Sequence, residues 1–182
     1  MIFLRKLQVE DAPYMIEWMH DDTIANVFQK NMRKITLDEA KEFCIKASKR
    51  ENFFSHEDSV HFAIIDDYDD EYRGTISLKD IDIKNHSAEY AISIRRKFHG
   101  SRTATEATRL ILDKAFMEYG LHRVYLNVLE LNSRAIGFYE KIGFSYEGTS
   151  RESIEKDGRN LDLKWYSILK SEWGGVFHKQ YK

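Results

Sequence analysis

The sequence predicts an α+β domain of α/β-like build, a mixed central sheet of about seven strands flanked by about four helices. Apolar residues recur at period two over residues 60–95 and again after 144, but at helical spacing over 9–20, 36–50, 103–119 and 134–142. The order strand–helix–strand through 88–129 asks for one parallel crossover beside an antiparallel meander. The chain has 182 residues and no linker, repeat or low-complexity stretch, so it reads as one domain, 1–170, with a tail, 171–182.

Ile2 to Leu7 is short and apolar, a strand. Val9-Glu10-Asp11-Ala12-Pro13 opens a helix that continues to about His20. Its acids suit the positive dipole end, and proline fits the first turn, where its missing N–H is not needed. Residues 21–35 carry no clear period. Thr36-Leu-Asp-Glu39 is a capping box, and the helix after it, to about Arg50, buries Ala40, Phe43, Cys44 and Ala47. Val60–Ile65, Arg73–Ile81 and Glu89–Arg95 form the meander, separated by the acidic run Asp66–Glu71 and by a turn at Asn85-His86. A long helix, Thr103–Tyr119, stops at Gly120. Val124–Leu129 is the parallel strand, branched and apolar as a doubly buried strand should be. Asn132-Ser133 caps the helix Arg134–Ile142, which Gly143 ends. Asp157-Gly158 joins 144–156 to 159–169 as a two-residue hairpin, and the tail after Ser171 reads as irregular.

A net charge of -2 and a pI near 6.4 give no global case for nucleic acid or an anionic membrane. The single cysteine, Cys44, forms no internal disulfide and fits a reducing compartment as a buried small hydrophobe. The N-terminal residues read as a strand and not as a signal peptide, and no window of ~18 apolar residues exists to span a bilayer. These readings place the protein in the cytoplasm.

Chemistry concentrates in the turn from Ser93 to Glu106, where Arg95, Arg96, Lys97 and Arg102 surround one glycine, Gly100. A strand running through a turn into a helix start leaves backbone N–H groups and a positive dipole end facing an anion. Taken alone, the turn fits solvated charges as well as it fits a phosphate site.

Three stretches together resemble the GNAT superfamily of N-acetyltransferases, and within it the RimJ/RimL-type branch. Lys97-Phe-His-Gly100-Ser-Arg102-Thr-Ala-Thr-Glu106-Ala is similar to that family's Q/R-x-x-G-x-G/A turn and helix opening. Asn132-Ser-Arg-Ala-Ile-Gly-Phe-Tyr139-Glu-Lys-Ile-Gly143-Phe144 matches its Asn-x-x-Ala-x-x-x-Tyr-x-Lys-x-Gly-Phe. Glu147-Gly148 and the hairpin through Asp157-Gly158, with Leu161 and Leu163, resemble its ending, and the resemblance spans roughly residues 2–169. Arg102 departs from the pattern, standing where glycine or alanine is usual; it would either crowd a diphosphate or add a charge to it.

The resemblance implies direct transfer of acetyl from acetyl-CoA to a primary amine in a ternary complex, with no metal. It assigns the cofactor's pyrophosphate to the N–H groups of Gly100, Ser101, Arg102, Thr103 and Ala104, with Lys97 and His99 beside them. Ile92, Ser93 and Ile94 would offer backbone groups to the pantetheine arm. Asn132, whose amide both donates and accepts, would meet the pantetheine or thioester. Tyr139 would protonate the departing thiolate, since a phenol of ordinary pKa is protonated at neutral pH. Glu89, or a water that it holds, is the expected base, with His61 and His86 behind it.

The acceptor is expected to be a small amine, an amino sugar or polyamine, ahead of a peptide N-terminus. The acidic run Asp66–Glu71 would attract a polycation, and Tyr14, Trp18, Phe28, Phe53 and Phe54 would line a sugar or peptide site. No nucleic acid or membrane partner is expected. A homodimer through the aromatic tail, Trp173 to Tyr181, is the expected assembly. A non-catalytic acetyl-CoA sensor, with Arg102 as a mark of drift, is the reading of another class; Asn132 and Tyr139 argue against it.

Overall fold

The computed structural model describes residues 1–49 and 58–176. Strands β1 (Ile2–Lys6), β2 (Asp58–Asp66), β3 (Glu71–Asp82), β4 (Ser87–Ile94), β5 (Arg123–Leu129), β6 (Ser145–Lys156) and β7 (Arg159–Leu169) form one sheet in the order β1-β2-β3-β4-β5-β7-β6. Every neighbouring pair is antiparallel except β4 and β5, which run parallel as the strand–helix–strand order requires.

Among the described residues six α-helices flank the sheet: α1 (Ala12–His20), α2 (Asp22–Ala25), α3 (Leu37–Ser48), α4 (Thr103–Asp113), α5 (Ser133–Ile142) and α6 (Lys170–Val176). That is two more than the sequence predicts. The added α2 is a single turn, capped by Asp21, whose side chain accepts from Thr23 N–H at 2.8 Å. The added α6 occupies the tail read as irregular. Its Trp173 is buried against Phe116 and donates to Asp113 Oδ1 at 2.8 Å. Trp173 therefore fills its own fold and is not an exposed dimer contact; Phe177 and Tyr181 lie outside the described residues, as do Phe53 and Phe54.

The capping box at Thr36 is formed, with Glu39 N–H on the Thr36 hydroxyl at 3.2 Å and Thr36 N–H on the Glu39 carboxylate at 2.7 Å. At the hairpin, Asp157 (φ 53°) and Gly158 (φ 75°) both adopt the left-handed backbone that a type I′ turn needs.

The sheet separates two cores. One face carries Ile76, Leu78, Ala88, Tyr90, Val124, Leu126 and Tyr166, packed under α4, the π-helical turn that continues it (Lys114–Glu118) and α5 through Ala107, Ile111, Ala115, Tyr139 and Ile142. The other carries Ala63, Ile65 and Tyr72 under α1 and α3, through Met15, Trp18, Ala40 and Cys44. A bulge between Ile64 and Ile65 turns Tyr72 to the second face while Ile76 and Leu78 keep to the first. Burying side chains of this size contributes about 2 kcal/mol each. Desolvation pushes the Cys44 thiol up to about 11, so it stays a protonated, unreactive core group at neutral pH.

At Gly74, β3 and β4 press close together. A Cβ there would stand 2.1 Å from the Ser93 carbonyl oxygen, so only glycine allows this approach.

Candidate active site

Strands β4 and β5 pair over only three residues, Ser87↔Arg123 to Glu89↔Tyr125, and then part. Beyond that fork, β4 continues to Ile94 against β3 alone, and β5 continues to Leu129 against β7 alone. Arg95 N–H donates to Arg73 C=O at 2.9 Å, which fixes the alternation of the antiparallel ladder: 91, 93 and 95 aim their backbone groups at β3. Tyr90, Ile92 and Ile94 therefore aim theirs into the fork. Ser93, expected to serve the cofactor through its backbone, points the other way, toward Gly74. Ile94 C=O is already taken by His99 Nε2 at 2.8 Å.

The turn that follows is short and uncapped. Arg102 places no side chain on the start of α4, so its first-turn N–H groups face outward, except that of Thr103, which Ser101 takes. Ser101 N–H goes to Phe98 C=O and Thr103 N–H to Ser101 Oγ, at 3.3 Å each. That leaves Gly100, Arg102 and Ala104 of the five expected donors without an acceptor among the described residues, and adds Thr105. Gly100 has φ +80° and open space where a Cβ would be, as a backbone cradle requires. Arg102 has φ -75° and ψ -4°, a conformation any residue adopts, so the arginine introduces no strain; its side chain is exposed.

The basic residues around the turn divide into paired and unpaired. Arg95 is 4% exposed and so is not one of the solvated charges that the turn, taken alone, allowed. Its guanidinium donates to Glu17 at 2.6 Å, to Glu71 at 2.8 Å and to Tyr72 C=O at 2.9 Å, with the Tyr14 ring 4.6 Å away. Lys97 also sits on Glu71, whose carboxyl is held below its usual range by Lys97 first and Arg95 after it. The Lys97 ammonium is thus engaged within the protein. The same pairing removes much of the acidic run from any polycation, since Asp66 and Asp69 hold Arg73 at 3.1 and 2.6 Å.

Among the described residues four tyrosines are buried in the two cores, and three of their hydroxyls are bonded. Tyr72 meets Thr75 at 2.6 Å, Tyr90 meets Thr108 at 2.7 Å and Tyr166 donates to Glu140 at 2.9 Å. Tyr139 is the exception: its hydroxyl has no partner among the described residues. Its ring stands edge-on to Tyr90 at 6.0 Å and to Phe144 at 5.9 Å. Tyr90 is the first residue of β4 past the fork, so the Tyr139 ring packs beside the strand where the opening begins. Desolvation holds it above its ordinary pKa of 10.0, so it is protonated across the neutral range.

Asn132, at the end of the open half of β5, caps α5 by accepting from Ala135 N–H at 3.2 Å. Its acceptor is engaged and its NH₂ donors remain. Glu89 lies on the face of β4 opposite Tyr90, because side chains alternate along a strand. Its carboxylate accepts from Lys79 Nζ at 2.6 Å and raises the Tyr125 phenol, after burial, above its usual value. The fork thus has the phenol of Tyr139 on one face and the carboxylate of Glu89 on the other. His61 bonds Ser77 Oγ at 2.7 Å beneath Phe43. His86 is exposed in the β3–β4 turn, before the paired stretch that precedes the fork.

Sequence reasoning missed two things. The segment between α2 and α3 reaches across the open half of β5, where Gln29 bonds Asn127, and Lys156 Nζ donates to Ala25 C=O at 3.0 Å and to Phe28 C=O. Arg134 bonds His99; neither residue's neighbours in sequence signal that pairing.

Among the described residues no group of His, Cys, Asp and Glu side chains is placed to hold a metal, and no helix is long and apolar enough to cross a membrane. The pieces that a phosphorylated thioester needs are present together: an uncapped helix start, free strand edges, amide donors and an unbonded phenol.

Comparison with known proteins agrees. The model of the acetyltransferase (GNAT) domain family matches residues 2–145. YdaF of Bacillus subtilis (strain 168), provisionally named a ribosomal N-acetyltransferase, is 37% identical over 108 residues, 59% of each chain. Spermidine N(1)-acetyltransferase of Vibrio cholerae is 28% identical over 144 residues, 79% of this chain and 83% of that one. A crystal structure of the Vibrio cholerae spermidine N-acetyltransferase, in complex with CoA and spermine, superposes with a TM-score of 0.82 at 26% identity, covering 94% of this chain and 97% of that one. The chain belongs to the GNAT acetyltransferases and is an acetyl-CoA-dependent enzyme that transfers an acetyl group to an amine.

Proposed function

We propose that the acceptor is a small alkyl polyamine and that Tyr139 is the acid of the reaction. The observation that carries the second part is the unbonded phenol at the fork. Arg73 Nε is the one side-chain polar atom that is both shut away from solvent and unpartnered among the described residues, so the Tyr139 hydroxyl, which has no protein partner, is open to what enters the site. The likeness to spermidine acetyltransferases over most of both chains supports the first part.

Bound acetyl-CoA supplies the acyl group as a thioester. The N–H groups of Gly100, Arg102, Ala104 and Thr105 bind its pyrophosphate, as a helix start does. Tyr90 offers its C=O, Ile92 both of its backbone groups and Ile94 its N–H to the pantetheine arm, with the Asn132 NH₂ donating from the facing side. Glu89 takes the proton that an alkylammonium must lose before its nitrogen attacks, and Lys79 fixes the carboxylate's rotamer. Tyr139 donates to the sulfur as the carbon–sulfur bond breaks and regains its proton from solvent or the amine nitrogen. Within the family we place the chain with the RimJ/RimL-type branch and in the reducing cytoplasm, where the buried thiol of Cys44 stays unpaired. Peptide N-terminal acetylation is the second reading, favoured by the 37% identity to YdaF.

A thiol-release assay with acetyl-CoA across spermidine, spermine, glucosamine and an alanine-terminated peptide tests this. The polyamines are expected to give the highest kcat/KM. Turnover confined to the peptide would transfer the acceptor to the second reading. Binding of acetyl-CoA with no thiol released on any amine would make the chain a sensor.

A further inference from the structure

Arg102 and Arg134 stand at the mouth of the turn with no ion pair among the described residues, while Arg95, Arg96 and Lys97 each face an acid. Arg134, exposed in the first turn of α5, donates from Nη1 to His99 Nδ1 at 2.6 Å. A guanidinium only donates hydrogen bonds, so Nδ1 is the acceptor and the imidazole proton sits on Nε2. That proton is received by Ile94 C=O at 2.8 Å. His99 is thus a neutral bridge with both nitrogens engaged, which leaves neither for a ligand and corrects its expected role as a direct cofactor contact. Its burial first, and the Arg134 charge after it, also favour the neutral ring, against the Ile94 carbonyl and Asp21, which favour the charged one.

The bridge has a geometric consequence. His99 immediately precedes Gly100, so it fixes a cation from α5 beside the N–H groups that open α4. Because its partner among the described residues is a neutral imidazole, Arg134 keeps its full charge and most of its donors. We propose that Arg134 binds the diphosphate of the cosubstrate, clamping it from the α5 side, and that His99 is the positioning residue that sets Arg134 there. The ligand chemistry is a diphosphate ester, and the proposal rests on the reading that acetyl-CoA docks on this turn.

Calorimetric titration of the full chain with CoA, 3′-dephospho-CoA and pantetheine separates the possibilities, because the three differ in which phosphates they carry. Arg134→Gln, an exposed substitution that the fold tolerates, is expected to weaken CoA and 3′-dephospho-CoA alike by about tenfold and to leave pantetheine unchanged. His99→Ala should show the same pattern with a smaller loss of about three- to fivefold, and His99→Gln, which keeps a donor and an acceptor, should restore part of it. The double variant Arg134→Gln with His99→Ala should bind CoA no more weakly than Arg134→Gln alone, since positioning is lost only once. A loss seen with CoA but not with 3′-dephospho-CoA would overturn the diphosphate assignment in favour of the 3′-phosphate. CoA affinity within twofold of wild type in Arg134→Gln would overturn the proposal, and additive losses would overturn the role of His99. Failure of the wild-type chain to bind CoA would instead bring down the docking reading beneath it.

Discussion

The two sides of the fork are built differently. The cofactor side is made from near neighbours in sequence: a strand end, a turn and a helix start within residues 90–105, joined by one helix opening at Asn132. The acceptor side is made by reaching across the chain. Lys156 holds the carbonyls of Ala25 and Phe28 from over 120 residues away, and Gln29 reaches Asn127. Backbone groups in a fixed turn suit a ligand common to a whole family, whereas side chains from distant segments change freely and suit a variable acceptor.

The largest test of that contrast is Gly74→Ala, because both sides hang on the β3–β4 contact. The added Cβ would meet the Ser93 carbonyl at 2.1 Å. Separating the strands should cost about 3 kcal/mol or more and lower the melting temperature by about 10 °C. A melt within about 2 °C of wild type contradicts the close approach.

Lys156→Met should split the two sides. Removing the ammonium frees the carbonyls of Ala25 and Phe28 and loosens the segment that crosses β5. KM for the amine is expected to rise about tenfold while the dissociation constant of acetyl-CoA changes less than twofold. Equal losses on both would show that the two sides are not separable in this way.

The smallest effect is on alkaline stability. Burial raises the phenols of Tyr72, Tyr90 and Tyr139, and lifts Tyr166 to about 12. A group raised in the fold stabilises it below the unfolded value and loses that contribution as pH climbs. Stability should therefore be flat up to about pH 10 and fall above it. The tyrosinate absorbance of these rings should appear together with loss of far-UV circular dichroism. Ionisation of all tyrosines well before unfolding would contradict their burial.

The contrast also explains what was legible in the sequence. Gly100 and Asn132 announce themselves because each does a local job, a positive φ and a helix cap. The hairpin at Asp157-Gly158 is legible for the same reason. The burial of Arg95 is silent in the sequence because its partners Glu17 and Glu71 lie 78 and 24 residues away. Pairing of His99 with Arg134 across 35 residues is equally silent in sequence. Residues 21–35 carry no period because α2 is a single turn, steadied from outside by Arg33 on Asp22 and Asn26 at 2.9 and 2.7 Å. Trp173 in α6 is one aromatic against Phe116, too little to set a helical pattern.

The central claim is that the unbonded phenol of Tyr139 serves the leaving thiolate. Tyr139→Phe keeps the ring among Tyr90, Phe138 and Phe144 and removes only the hydroxyl. Its kcat for acetyl transfer, measured at saturating amine with the acetyl-CoA dissociation constant from titration, is the direct test. The expected result is a fall in kcat of about 100-fold or more with acetyl-CoA affinity kept within threefold and the melting temperature unchanged or raised. A kcat within threefold of wild type would contradict the assignment and leave Tyr139 as packing alone.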